Sequence, residues 1–484
     1  MFLIPKPSDM KHITYLVSIF ISIAILSACS VPKMPSQEAA VMLPNTYLPK
    51  GDTTQLLLQG PDKFFPSPIL RALIDTVLEN NYDLRMAEQR IGLAKAQLLQ
   101  SRGALLPQIN TSVMPSLRKF GLYTMDGAGN IVTDIEGSKR VPIDLPDFYG
   151  GLQASWEIDL WGKLKSVKQS AAFRVGASEE YVRLMKTILV AETAALYYEL
   201  LAADEELEMV SKTISLQEEA LELMRIQKEA GRVNELAVQQ FEAQWLSMRD
   251  LRIQVEQQIV GLETAIRQLT GRFYQPVPRD TSFFDQQLVP VVKAGVPAAL
   301  LLNRPDIRMA EKELFAAGAD VQVARKSFYP MLLFSGGVGI QGYRLGVLSM
   351  MPESIAYSMI SNMVTPVFNR RGLNAQFARS VAARKEAALQ YDKTVVNSFN
   401  EVRKQLIQYD QLNERYVLKD QETQVLSASI TVAGELFRTG RANYLDVLLA
   451  NQRSLMSNVE KILTRKDQLI TITNIYRSLG GGWK

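Results

Sequence analysis

The stretch NYDLRMAE at residues 81–88 returns later in the chain, in NRPDIRMAE at residues 303–311. In both copies an aspartate and an aliphatic residue precede the sequence Arg-Met-Ala-Glu, and the two motifs lie 223 positions apart. The same spacing relates Pro107 to Pro330, so the correspondence continues without a gap. A repeat of this length is too long for a solenoid unit, and the sequence therefore predicts two structural halves of one domain.

The composition is typical of a folded protein and points away from nucleic acid. The chain has 484 residues, of which 47% are hydrophobic and 21% charged, and its formal net charge is +4. No basic cluster stands out, so nucleic acid is not an expected partner. The sequence contains one cysteine and one histidine. An internal disulfide bond is therefore impossible, and neither a His/Cys metal site nor a cofactor is predicted.

The N-terminus has the features of a targeting segment, and residues 1–28 are predicted to be a signal peptide. Lysines precede an apolar run at residues 13–26, which is short for a membrane span but suits a signal sequence. The sequence Leu-Ser-Ala-Cys that ends at Cys29 resembles the lipoprotein signal of bacteria, in which the cysteine is lipidated and becomes the new N-terminus. In such lipoproteins Ser30 implies delivery to the outer membrane. The alternative is an ordinary signal peptide with an incidental cysteine.

Each half contains a pair of segments in which apolar and polar residues alternate. The clearest runs from Leu152 to Leu160, and a period of two predicts a strand with one apolar and one polar face. The strand pairs are predicted at about 108–160, around a polar loop at about 117–148, and at about 331–367, where the second strand alternates weakly. Strands of about ten residues match the length that a tilted strand needs to cross a bilayer. The alternative is a soluble hairpin packed on helices.

Long helices are predicted after each strand pair, because their apolar residues recur at alternating spacings of four and three. Both long helices end at a Gly-Arg turn, at Gly231-Arg232 and Gly440-Arg441, and glycine suits a helix end. The turns belong to a second pair of similar segments, AGRVNELAV and TGRANYLDV. The predicted helical hairpins span about 163–269 and about 374–478.

These patterns predict an organisation into successive segments. In order they are a signal peptide (1–28), a lipidated extended segment (29–66), a first repeat of helix, strand pair and helical hairpin (67–272), a connector (273–302), a second such repeat (303–478) and a C-terminal tail (479–484).

Four strands cannot close a barrel, and open strand edges in lipid leave backbone groups without partners. Barrels need about eight strands or more. Three copies would supply twelve strands and a polar lumen. The helices would then form a second tube with a length on the order of 100 Å.

Several motifs carry a resemblance to a known family. They are the Leu-Ser-Ala-Cys sequence, PSPILRALIDTVLENNYDLRMAE, SWEIDLWGKLKSVKQSAA, LNRPDIRMAEKELFAAGADVQVARKSFYP, TGRANYLDVLLANQRSL and SLGGGW, in this order. The chain resembles the TolC-like outer-membrane efflux factors, in the lipoprotein branch that serves resistance-nodulation-division pumps. The resemblance implies a mainly α fold with membrane β: a homotrimeric 12-stranded β-barrel continued by a periplasmic α-helical barrel, with two repeats per chain. It also implies docking to a periplasmic adaptor and an inner-membrane transporter.

The resemblance further suggests a gate at the periplasmic end. By the match of RANYLDVLLA, Leu445 would form an apolar constriction and Asp446 an acidic ring, while Leu449 stands where some members have a second acidic residue. Arg232 and Arg441 would either tie neighbouring hairpins together or contact the adaptor. The alternative for Asp446 is a solvated helix residue.

The expected function is a passive, gated exit duct for substrates that an inner-membrane transporter drives. Alternatives are the conduit of a type I protein secretion system and a periplasmic adaptor lipoprotein, although two strand pairs argue against the adaptor. An enzyme is not expected, because the processed chain would contain no histidine and the sequence has no Gly-x-Ser-x-Gly motif. The sequence does not specify the cargo.

Overall fold

The structure is a computed structural model. It describes residues 31–34, 44–47, 60–280, 283–284, 286, 297, 303–365 and 370–483. The predicted signal peptide, Cys29 and most of the connector at 273–302 lie outside these residues. The helices are α1 (Pro61–Phe64), α2 (Pro68–Asn80), α3 (Tyr82–Gly103), α4 (Met125–Val132), α5 (Lys163–Glu229), α6 (Glu235–Thr270), α7 (Pro305–Lys326), α8 (Arg370–Arg438) and α9 (Tyr444–Ser478). The strands are β1 (Gln108–Lys119), β2 (Asp134–Glu136), β3 (Lys139–Arg140), β4 (Asp144–Ile158), β5 (Met331–Gly342) and β6 (Ile355–Val364).

The chain divides into two compact units. The first, called the sheet unit, contains Leu93–Val175 and Lys312–Ala388, together with an N-terminal segment. The second, called the helical unit, contains Ala39–Gly92, Gly176–Glu311 and Leu389–Lys484. Within the part of the chain that the structure describes, no helix combines the length and the apolar character needed to span a bilayer.

The sheet unit is built on an antiparallel sheet of four strands in the order β1-β4-β5-β6. The register pairs Gln108 with Ser155, Trp156 with Phe334 and Val338 with Tyr357. Because successive side chains alternate, this register gathers apolar residues of all four strands on one face. That apolar face carries Ile109, Val113, Leu117, Leu152, Trp156, Leu332, Phe334, Val338, Ile340, Ile355, Tyr357, Met359 and Met363.

The opposite face of the sheet is mainly polar. It lines a concavity with a volume of about 620 Å³ in the single chain. The residues of this face include Asn110, Ser112, Ser116, Asp147, Gln153, Ser155, Ser335, Gln341, Ser358 and Asn362, with Met114, Met331, Leu333, Ala356, Ile360 and Val364 as apolar exceptions.

The residues that line this concavity come from all four strands, so the polar face forms one continuous surface.

Glycines allow the two central strands to approach closely. A Cβ atom on Gly151 would lie 2.5 Å from the carbonyl oxygen of Val338 and 2.6 Å from Cα of Gly339. On the neighbouring Gly150 the nearest atom would be Cγ1 of Ile340 at 4.0 Å, which is ordinary contact. Gly151 is therefore required by the pairing of β4 with β5, whereas Gly150 is not.

The connection between β1 and β4 is more ordered than the alternation predicts. The expected loop at about 117–148 instead contains the end of β1, helix α4 and the ribbon of β2 with β3. The hydroxyl oxygen of Thr124 accepts the N–H of Gly127 at 3.1 Å and caps α4. The prediction of a loop was wrong because elements this short show no clear periodicity.

The helical unit has an apolar core to which α2, α5 and α9 contribute. Tyr197, Leu200 and Tyr476 are almost fully buried in it, and the ring of Phe64 stacks on Tyr476 at 3.9 Å. Gln217, the polar residue that interrupts the apolar spacing of α5, is also buried, with 4% of its surface exposed. Burial of apolar surface is the main term that holds these helices together.

A buried ionic cluster fixes the start of the second repeat. Arg304 donates from Nη1 to Oε2 of Glu401 at 2.9 Å and to the carbonyl oxygen of Ser478 at 2.7 Å, and from Nη2 to Asp306 at 2.7 Å. Glu401 also contacts Arg477. Burial alone would lower the pKa of Arg304, but the hydrogen bonds and charges of Asp306 and Glu401 raise it above its ordinary value.

Candidate functional site

The first hairpin tip connects α5 to α6. Gly231 has a φ of 69°, a left-handed conformation that glycine adopts without strain. The N–H of Arg232 donates to the carbonyl oxygen of Gln227 at 2.9 Å, which closes the end of α5. Asn234 then starts α6, since its side-chain oxygen accepts the N–H of Ala237 at 3.1 Å.

The second hairpin tip connects α8 to α9 with the same backbone geometry. Gly440 has a φ of 71°, and the N–H of Arg441 donates to the carbonyl oxygen of Leu436 at 2.8 Å. Asn443 and Asp446 form a capping box in which the Asn443 N–H donates to Oδ2 of Asp446 at 2.9 Å. The pattern Asn-x-x-Asp was visible in the sequence, but its capping role was not recognised there.

The structure places the predicted gate residues at the start of α9. Leu445 and Asp446 lie in its first turn, and both side chains are exposed in the single chain. Arg232 and Arg441 are exposed as well, and neither forms an ion pair with any residue that the structure describes. The four tip residues and the two gate residues thus lie on surfaces that another molecule can reach.

The two hairpins pack together close to their tips. Phe241 and Leu448 are buried in one apolar cluster, against which Trp245, Phe437 and Tyr444 pack. This contact joins the two repeats within one chain, and the sequence does not reveal it, because helical periodicity does not show which helices meet.

Beyond that cluster, apolar residues at heptad spacing remain exposed along the helices. One stripe follows α8, a second α9 and a third α6. Such stripes on long helices are typical of packing against further helices, and exposed apolar patches mark interaction sites. The three stripes consist of Leu418, Val425 and Val432, of Leu449, Met456 and Leu463, and of Leu246, Ile253 and Val260.

Comparison with known proteins identifies the family. The outer membrane efflux protein family matches residues 73–272 and 296–481. This chain belongs to that family. The two matched segments correspond to the two repeats, and the predicted relationship to outer-membrane efflux proteins is confirmed.

Individual proteins agree with this assignment over nearly the whole chain. The pyoverdine export outer membrane protein OpmQ of Pseudomonas putida is 29% identical to this chain, and the alignment covers 95% of this chain and 96% of OpmQ. The probable outer membrane lipoprotein SilC of Salmonella typhimurium is 28% identical, and the alignment covers 96% of this chain and 97% of SilC.

The crystal structure of the CmeC outer membrane channel of Campylobacter jejuni superposes on this structure with a TM-score of 0.84 at 23% identity. The superposition covers 93% of this chain and 94% of CmeC. The predicted fold class of a mainly helical channel chain with two repeats is thus confirmed. The family description refers to efflux and the name of OpmQ to export, both at the outer membrane, so the expected function of an outer-membrane efflux channel is confirmed.

Proposed function

We propose that three copies of this chain form the outer-membrane duct of a tripartite efflux pump. The observation that carries this proposal is the four-stranded sheet, which has an apolar face, a polar face and two unpaired edges, β1 and β6. In lipid an unpaired edge costs several kcal/mol for each backbone group without a partner. Pairing of β1 with β6 of the next copy satisfies these groups and closes a barrel of twelve strands.

The exposed heptad stripes support the same assembly. Leu418, Val425 and Val432 form a row along α8, and each remains more than half exposed in the described part of the chain. Rows of this kind pack into neighbouring helices as knobs into holes. Three copies that close a barrel through their strands would also cover these rows through their helical hairpins.

The partners of the duct would be a periplasmic adaptor and an inner-membrane transporter. Similar chains carry names that refer to pyoverdine, toluene and cations, at identities of 29%, 27% and 26%. Chains this similar serve unlike cargoes, which favours selection by the transporter. The duct itself would make and break no bonds, and we propose no catalytic role for it.

The tips of the hairpins would provide the gate. Leu445 from three copies would narrow the periplasmic end with an apolar ring, and Asp446 would add three carboxylates. Carboxylate rings favour cations, and like charges at short distance repel one another. Arg232 and Arg441, exposed at the tips, would contact either a neighbouring copy or the adaptor.

A lipid on Cys29 would anchor the assembly to the outer membrane. The sequence around Cys29 and the name of the relative SilC support this modification. Labelled palmitate should be incorporated into the wild-type chain and not into Cys29→Ser. If Cys29→Ser were a monomer that stayed in solution without detergent, the membrane sheet would be excluded.

The function is tested by reconstitution of the purified full-length chain in planar bilayers. We expect native mass spectrometry to give the mass of three chains, and the bilayers to show discrete conductance steps. A monomer that produces no steps would contradict the proposal, since one sheet of four strands cannot enclose a pore.

A further inference from the structure

Positive charge is concentrated in the helical segments that adjoin the sheet. These segments belong to the sheet unit and contain fourteen Lys and Arg residues against three Asp and Glu, whereas the net charge of the whole chain is +4. The sequence shows no single basic cluster, because these charges are distributed over four separate segments. The segments are residues 93–103, 163–175, 312–326 and 370–388.

The antiparallel order of the strands brings the four segments to one end of the sheet. β1 and β5 begin at this end, while β4 and β6 finish there. We call it the basic end. At the opposite end, residues 118–147 and 343–354 contain five basic and six acidic residues, so the excess of positive charge is confined to the basic end.

An aromatic pair, Trp161 and Tyr329, lies at the basic end, between β4 and β5. Trp161 donates from Nε1 to the carbonyl oxygen of Pro330 at 2.8 Å, and its ring stacks on Tyr329 with centroids 5.1 Å apart. Despite this support, 47% of the surface of Trp161 is exposed. Trp and Tyr with one apolar and one polar side are enriched where a membrane meets water.

Two cations lie just beyond this pair. Lys165 and Lys168 follow Trp161 on α5, are three residues apart and therefore share one side of the helix. Both are exposed, and neither is paired with a carboxylate among the residues that the structure describes. Lys163, in contrast, forms an ion pair with Glu157 at 2.6 Å.

We propose that the basic end binds the headgroups of anionic phospholipids in the leaflet that faces the periplasm. This inference rests on the proposed function, because the strands must cross the membrane to place the basic end at the membrane surface. A lipid of this class presents a negative phosphate to Lys165 and Lys168. Its glycerol and upper chain would lie along Trp161 and the exposed Leu160, where the apolar face of the sheet begins.

The test measures lipid binding to the purified full-length protein in mild detergent. Phosphatidylglycerol and phosphatidylethanolamine with identical chains are titrated separately, and native mass spectrometry counts the lipids that remain bound. The variant Lys165→Gln with Lys168→Gln removes two charges from the basic end. The control Arg403→Gln with Lys404→Gln removes two exposed charges from α8 within the helical unit.

We expect the wild type to retain phosphatidylglycerol in preference to phosphatidylethanolamine. Loss of two charges beside an anionic surface should weaken phosphatidylglycerol binding about thirtyfold, and the control should not change it. Equal retention of both lipids, or an equal loss in the control, would overturn the inference. So would a variant that shifts the reversal potential of the channel with unchanged lipid binding, because its lysines would then line the aqueous path.

The two proposals can fail separately. If the wild type forms channels in bilayers of phosphatidylethanolamine but shows no preference for phosphatidylglycerol, only the lipid inference fails. If it forms no channels in any bilayer, the proposed duct fails.

Discussion

The backbone N–H of Asn443 donates to Oδ2 of Asp446 at 2.9 Å, so the proposed gate carboxylate is also part of a helix cap. In the first repeat the equivalent position is Ala237, which is fully buried and has no acidic group. The two tips therefore share a backbone geometry but differ in charge. At this position only the second tip carries a carboxylate; the first tip has Glu235 two residues earlier, where it pairs with Lys228.

The double role of Asp446 predicts that two substitutions will differ. Asp446→Asn removes the charge but keeps an oxygen that can accept the Asn443 N–H, whereas Asp446→Ala removes both. We expect both variants to lose cation selectivity, measured as the reversal potential in a salt gradient. Only Asp446→Ala should speed hydrogen exchange at the start of α9, by about fivefold, since a helix cap contributes about 1 kcal/mol.

The gate proposal also makes a prediction for conductance. Asp446→Ala combined with Arg441→Ala should raise the single-channel conductance, because charged groups would no longer hold the tips together. Unchanged conductance and unchanged selectivity would show that Asp446 is a solvated capping residue and no gate.

The buried cluster at Arg304 predicts a strong effect of one neutral substitution. Glu401→Gln leaves Arg304, of which 8% is exposed, with one fewer anionic partner. Removing one partner of a buried ion pair costs about 3 kcal/mol. We expect a clear fall in the temperature of thermal unfolding, measured by intrinsic fluorescence.

A matched control for Glu401 is Glu208, which pairs with Lys212 at 2.6 Å on the surface of α5. Exposed pairs contribute little to stability because solvent screens them, so Glu208→Gln should leave the unfolding temperature nearly unchanged. Equal effects of the two substitutions would contradict the structural role of the cluster.

Periodicity predicted the long elements well, because each shows many turns or alternations of its pattern. The alternation from Leu152 to Leu160 gave the faces of β4 correctly. It could not reveal the ribbon of β2 with β3, which is too short, or the contact of Phe241 with Leu448, which depends on how two distant hairpins pack. The Gly-Arg turns were recognisable because a left-handed helix end favours glycine.

The adjacent glycines of β4 predict opposite outcomes for the same substitution. Gly151→Ala places a methyl group 2.5 Å from the Val338 carbonyl oxygen and should prevent the pairing of β4 with β5. Gly150→Ala meets only Ile340 at 4.0 Å and should be tolerated. The yield of heat-modifiable oligomer on gels measures both, and normal assembly of Gly151→Ala would contradict the strand register.

The most direct test of the central claim is a disulfide cross-link between the two edges of the sheet. In a Cys29→Ser background, Asn110→Cys on β1 is combined with Ser358→Cys or Asn362→Cys on β6, and with Ser335→Cys on the inner strand β5 as a control. If β1 pairs with β6 of the next copy, oxidation should give covalent dimers and trimers in at least one of the edge combinations and none in the control. Monomers alone in every edge combination would contradict a barrel closed by several copies.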